Sequence, residues 1–216
     1  MKNIMYCLIV VGVCSCAKLK VVAEPVTQIT TTPQRIDSSQ YPLLKKTFNL
    51  VHIEAVSDYY GALSSNVKMV KGLSTTLQGG CLNRSGGRLN ACNIIIVEEG
   101  DGYLPIASEE DFKAYFAPID SEEKALSYVA VTTGTTPITQ FNIPSRYRTY
   151  VKELHKSYAV KKDNGFVTLT YDYQKFGCGP HPYFAVTSFV GPNGNVKELE
   201  RVKVYEDPDQ DGICID

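Results

Sequence analysis

The last third of the chain limits the fold most. Phe166, Thr168 and Thr170 alternate with Val167, Leu169 and Tyr171, and Asp163-Asn164-Gly165 stands just ahead of them. Asn followed by Gly supplies the positive backbone angles that a tight hairpin needs. Residues 183–190 form a second β-branched and aromatic run, and Pro192-Asn193-Gly194 a second turn. In the third run, 196–205, Val196, Leu199, Val202, Val204 and Tyr205 depart from strict alternation, which predicts a bulge. Strands joined by turns this short pair antiparallel, so the chain is expected to end in an antiparallel meander.

Two helices are expected before it. Ser108 and Asp111 have the spacing of a capping box, followed by the apolar Phe112, Tyr115 and Phe116. Asp120 and Glu123 repeat that spacing ahead of Ala125, Leu126, Val129 and Ala130, and Gly134 is placed to end the helix. Acidic residues at helix starts complement the helix dipole, so Glu109, Glu110, Asp111, Glu122 and Glu123 need no catalytic explanation. Further strands are predicted at 47–53 and 93–97, with a turn at 99–102 and an edge strand over 103–106. Grouped helices between strand-rich ends predict an α+β fold: an antiparallel sheet with a C-terminal meander and two short central helices.

The first residues are expected to direct export. Lys2 precedes an apolar run over 4–13, too short to span a hydrocarbon core of about 30 Å. Small residues follow at once, as at a signal-peptide cleavage site. Val13-Cys14-Ser15-Cys16 resembles the lipobox of bacterial lipoproteins. That resemblance implies removal of residues 1–15 and attachment of a diacylglyceryl group to the Cys16 sulfur, so that acyl chains hold the protein on a membrane. With Ala17 rather than an acidic residue next, it also implies outer-membrane delivery in the enteric type of sorting. Cleavage after Ala17 without a lipid is the other way to read the segment. Residues 16–40 hold Pro25, Pro33, Thr30-Thr31-Thr32 and few apolar residues, which predicts an anchor followed by a flexible tether. Residues 41–216 are then one globular domain.

In an exported chain, an even number of cysteines reads first as disulfides. Cys81, Cys92, Cys178 and Cys214 remain once the signal and the anchor are set aside. Of the three pairings, Cys81 with Cys92 is favoured because it closes the polar loop 83–88, which leaves Cys178 for Cys214. Zinc is the alternative, but the cysteines lack the close spacing of its ligands.

Three candidate sites stand out, each beside a plain structural reading. Gly177-Cys178-Gly179-Pro180-His181-Pro182 puts a thiol and an imidazole on one loop. A nucleophile and its base usually come from different elements, so His181 is either a ligand-binding group or a satisfied loop residue. Asp207-Pro208-Asp209-Gln210-Asp211-Gly212 resembles the opening of an EF-hand or thrombospondin-type calcium loop. The resemblance implies Ca²⁺ on Asp207, Asp209 and Asp211; the plain reading is a solvated acidic tail tied down by Cys214. The set His52, His155 and His181 has no ligand spacing; His52 is expected to pack within its strand and His155 to be solvated. Asn83-Arg84-Ser85 has the pattern of an N-glycosylation acceptor, which the bacterial lipobox leaves without use.

A net charge of −1 lacks the basic excess of a nucleic-acid binder. No nucleophile elbow, zincin helix, phosphate loop or dinucleotide fingerprint is present. The expected function is a lipid-anchored envelope protein that binds a small ligand or an envelope partner without catalysis. An extracytoplasmic hydrolase with His181 near its site is the alternative.

Overall fold

The computed structural model describes residues 20–22, 27–63, 66–76 and 81–216. The predicted signal peptide and Cys16 lie outside the described residues.

Along the chain, β1 (Lys20–Val22) precedes α1 (Tyr41–Thr47), whose first turn carries Pro42 where no backbone donor is needed. β2 (His52–Ala55) and a 3-10 segment, Asp58–Leu63, lead to β3 (Met69–Ser74). Next come β4 (Asn83–Arg84), β5 (Cys92–Glu99) and β6 (Gly102–Ile106), then α2 (Glu109–Phe116) and α3 (Glu122–Thr133). The C-terminal part holds β7 (Arg148–Thr149), β8 (Glu153–His155), β9 (Tyr158–Lys162) and β10 (Gly165–Tyr173). It ends with β11 (Gly177–Cys178), β12 (Tyr183–Val190), β13 (Val196–Glu206) and β14 (Cys214–Ile215).

These elements form an α+β fold with two main antiparallel sheets. The first runs β2-β3-β5-β4, with β6 also on β5; the second runs β7-β13-β12-β10-β9. The second is the predicted meander, and the register between β12 and β13 shifts at two places, as the broken alternation implied.

Helix α3 lies between the sheets. Seven consecutive residues, Ala125 to Val131, are buried, as befits a helix with neighbours on every side. Met69, Ile95 and Val97 meet it from the first sheet, and Ala159, Phe166 and Val190 from the second. The far face of the first sheet packs Val70, Ile94 and Ile96 against Leu44 of α1 and Ile36. On the far face of the second, Tyr171 and Tyr205 sit under Ile138, Phe141 and Tyr147.

Three sequence expectations are corrected. The flexible tether does not extend to residue 40. Thr27 Oγ1 donates to the Ala159 carbonyl at 3.1 Å and accepts its N–H at 2.8 Å, Arg35 pairs with Asp58, and Ile36 is buried. The strand expected at 47–53 begins at His52, because α1 fills Tyr41–Thr47 and Asn49 turns the chain with φ 50°. The cap of α3 is Ser121, whose side chain accepts from the Lys124 N–H, rather than Asp120. The cap of α2 by Ser108 and the left-handed Gly134 that ends α3 are as expected.

Candidate functional site

The C-terminal loop brings Cys178 and His181 together with the tail, but in structural roles. Cys178 is bonded to Cys214, and β11 pairs with β14 at the same two residues. His181 is 3% exposed. Its Nδ1 lies 3.1 Å from the Gln174 carbonyl oxygen and its Nε2 3.0 Å from that of Ile213. Both ring nitrogens thus face backbone carbonyls of the loop and the tail. The ring sits where the plain reading of a satisfied loop residue placed it, wedged between the loop and the tail.

The aspartates of the acidic loop are drawn apart by two arginines. Asp207 caps the turn Pro208–Gln210 through the Asp209 N–H. Arg146 reaches Asp207 at 3.4 Å and Asp209 at 3.0 Å, while Arg148 forms a two-point pair with Asp211. Hydrogen bonds from Arg148 hold the Asp211 carboxyl below the usual carboxylate range. Among the described residues, no three acidic, histidine or cysteine side chains converge as a metal site. His52 is exposed beside Glu54 at 3.5 Å instead of packed inside, and the His155 carbonyl accepts the Tyr171 hydroxyl at 2.5 Å.

Next to these pairs, Glu206 is buried under Arg148 at 3.0 Å, the Tyr150 hydroxyl at 2.5 Å and Lys203 at 2.5 Å. Burial pushes its carboxyl up, but the bonds from Lys203, Tyr150 and Arg148 outweigh burial and hold it below the ordinary value. Tyr173, Tyr183 and Tyr205 stack across β10, β12 and β13 with ring centres 4.5 and 4.6 Å apart. The whole assembly fixes the tail to the second sheet.

The open site is on the first sheet. In the register β3-β5-β4, Leu73 pairs with Asn93 and Asn93 with Asn83, one row beyond Lys71 and Ile95. Facing residues in a sheet share a side. The deep rows of that side pass under α3, while the Leu73–Asn93–Asn83 row borders a cleft of about 240 Å³. Tyr59, Tyr60, Ala130, Val131 and Gly134 complete its walls. Burial raises both tyrosine hydroxyls above their ordinary pKa, and the two are hydrogen-bonded to each other. The Cys81–Cys92 disulfide closes the loop that carries Asn83.

One polar chain crosses this cleft. The last carbonyls of a helix lack partners within it, and Asn83 Nδ2 donates to that of Val131 at 2.7 Å. A carbonyl only accepts, so it fixes which end of the Asn83 amide faces it. Asn83 Oδ1 then accepts Asn93 Nδ2 at 2.5 Å. Asn93 Oδ1 is left as the end of the relay. It is buried with no hydrogen-bond donor among the described residues, on a side chain only 9% exposed. The Ser127 and Ser188 hydroxyls also lack partners, but both side chains are sealed in the core at 0% exposure. The fourth such atom, Glu206 Oε2, faces the Lys203 ammonium, and of the four residues only Asn93 is in the wall of this cleft.

Asn93 and Asn83 carry a signal that sequence reasoning passed over. Asn93 opens a run of four β-branched apolar residues, where a polar side chain requires a partner. Asn83 stood out only as a glycosylation acceptor.

No protein-family model, curated protein or solved structure matches the chain. No helix among the described residues is long and apolar enough to cross a membrane. The two disulfides mark an oxidising, extracytoplasmic setting.

Proposed function

We propose that this chain is a lipid-anchored binding protein of the bacterial cell envelope, held by acyl chains on Cys16, probing its surroundings with the cleft at Asn93. The observation that carries the reading is the cleft of about 240 Å³ on the first sheet, walled by Tyr59, Tyr60, Leu73, Asn83 and Asn93, with its two asparagines held in place by hydrogen bonds to each other and to the Val131 carbonyl; side chains ordered in advance lose less entropy on binding. The hydrolase alternative would place His181 near its site, and that ring lies between two backbone carbonyls.

Two experiments test the two halves of this reading. Small polar molecules titrated into the isotopically labelled full chain are expected to shift the amide resonances of Leu73, Asn83 and Asn93 together and saturably. Shifts confined to other regions across a broad panel overturn the cleft as the site. For the anchor, Cys16→Ser is expected to abolish metabolic lipid labelling and move the protein from the membrane to the soluble extracytoplasmic fraction. A wild-type protein that is already soluble, with a mature N-terminus other than Cys16, contradicts it.

A further inference from the structure

We infer that the domain lies on the bilayer through one face, the layer that holds β8 and Tyr150, with α1 and the first sheet turned away from the membrane. This orientation rests on the lipid on Cys16 proposed above and adds which surface meets the membrane. The pairing of β1 comes first. Lys20, Val21 and Val22 run parallel to Glu153, Leu154 and His155, in register. Leu154 is buried in a cluster with Tyr171, Val204 and Tyr205, so β1 is tied to the far face of the second sheet. Four residue steps lead from Cys16 to Lys20, and four steps of chain span at most about 14 Å. The opposite face is out of reach. The second sheet, α3 and the first sheet stand between β8 and α1. Packed layers lie about 10 Å apart, which puts α1 roughly 30–40 Å from β8.

The surface at the near end suits a lipid headgroup layer. Because β1 and β8 are parallel, the residues before Lys20 and those before Glu153 leave the pair at the same end. Tyr150, 49% exposed, and the exposed Lys152 stand there. The Lys203 ammonium lies 4.1 Å from the Tyr150 ring centre. Tyrosine rings and lysine stems settle at headgroup depth, with apolar parts toward the acyl boundary. The Tyr150 hydroxyl already donates to Glu206, so contact with lipid leaves that donor paired. Charge does not draw this face to the membrane. Arg146, Arg148 and Lys203 are spent on Asp207, Asp209, Asp211 and Glu206. The acyl chains supply the attraction, and the short link sets the orientation.

The test uses the absence of tryptophan from the chain, so that one introduced tryptophan is the sole probe. Lys152→Trp marks the near face, and Leu43→Trp, at a position 53% exposed on α1, marks the far one. Each full, acylated chain is placed in phosphatidylcholine vesicles that carry a dansyl-labelled headgroup lipid, with acylation checked by mass. Energy transfer from Lys152→Trp is expected to be several-fold stronger than from Leu43→Trp. A Gly-Ser insert of about twenty residues between Ala17 and Lys18 adds roughly 25 Å of flexible reach and is expected to remove most of that difference. Equal transfer from the two positions in an acylated chain without the insert, or stronger transfer from Leu43→Trp, overturns the orientation and leaves the anchor reading standing. A difference that survives the insert unchanged overturns the short link as its cause. A chain that carries no acyl group and stays off the vesicles overturns the anchor and the orientation together.

Discussion

At the scale of single residues, the clearest consequence of the structure is acid sensitivity of the tail. Glu206 and Asp211 have carboxyls held below their ordinary values in the folded chain. The unfolded chain therefore takes up protons first as pH falls. Stability is full above the unfolded carboxylate range, about pH 4–4.5, and is lost as pH drops from there through the folded values. The melting temperature is expected to fall in that window, and Glu206→Gln to make the fall shallower while destabilising the protein at pH 7 by about 1–3 kcal/mol. Calorimetry across pH 2–7 checks both, and an unchanged pH slope in the variant contradicts the assignment. Arg146 and Arg148 already satisfy the aspartates of the loop that resembles a calcium site. Millimolar Ca²⁺ is accordingly expected to leave the melting temperature unchanged, whereas a rise restores the calcium reading, because a ligand of the native state stabilises it. The cysteine pairs were legible in the sequence because loop closure and compartment both constrain them. The burial of His181 was not, since glycines and prolines announce a loop but not what the loop folds back upon.

At the scale of elements, local chemistry was readable and tertiary closure was not. Caps and hairpin turns act within a few residues, so α2, the end of α3 and the meander follow directly from Ser108, Gly134 and Asp163-Asn164-Gly165. Helix α1 escaped because Tyr41–Thr47 makes barely two turns, too few to show a helical period. The packing of 27–40 escaped because it depends on distant partners: Ala159, Met69 and Asp58. Gly61 reports on this contact, since a Cβ there would lie 1.5 Å from the Thr31 carbonyl oxygen. Gly61→Ala is expected to lower stability by at least the roughly 1–3 kcal/mol typical of overpacking, with faster amide exchange over residues 27–36. Exchange in that segment that is as fast in the wild type as in a free peptide contradicts its place in the domain. Likewise, Cys214→Ser is expected to cost about 2–4 kcal/mol and to speed exchange over 206–216, where the disulfide, His181 and Arg148 now meet.

At the scale of the whole molecule, the site exists because α3 covers only part of one sheet face. Met69 and Val97 are buried beneath the helix layer, and the next rows open toward the cleft. The sequence identifies the strands and the helix, but how far the helix reaches along the sheet is set by packing among Leu126, Val129 and residues of both sheets. That is why Asn93 could not be recognised beforehand as more than a polar residue at a strand start. Binding depends above all on whether the cleft beside Leu73 and Asn93 takes a ligand. A high-resolution crystal structure of the full chain, saturated with a small molecule that shifts the Leu73, Asn83 and Asn93 amides, measures this directly. The predicted result is a ligand seated in the cleft against Leu73 and Asn93. A ligand bound elsewhere, with this cleft empty, contradicts it.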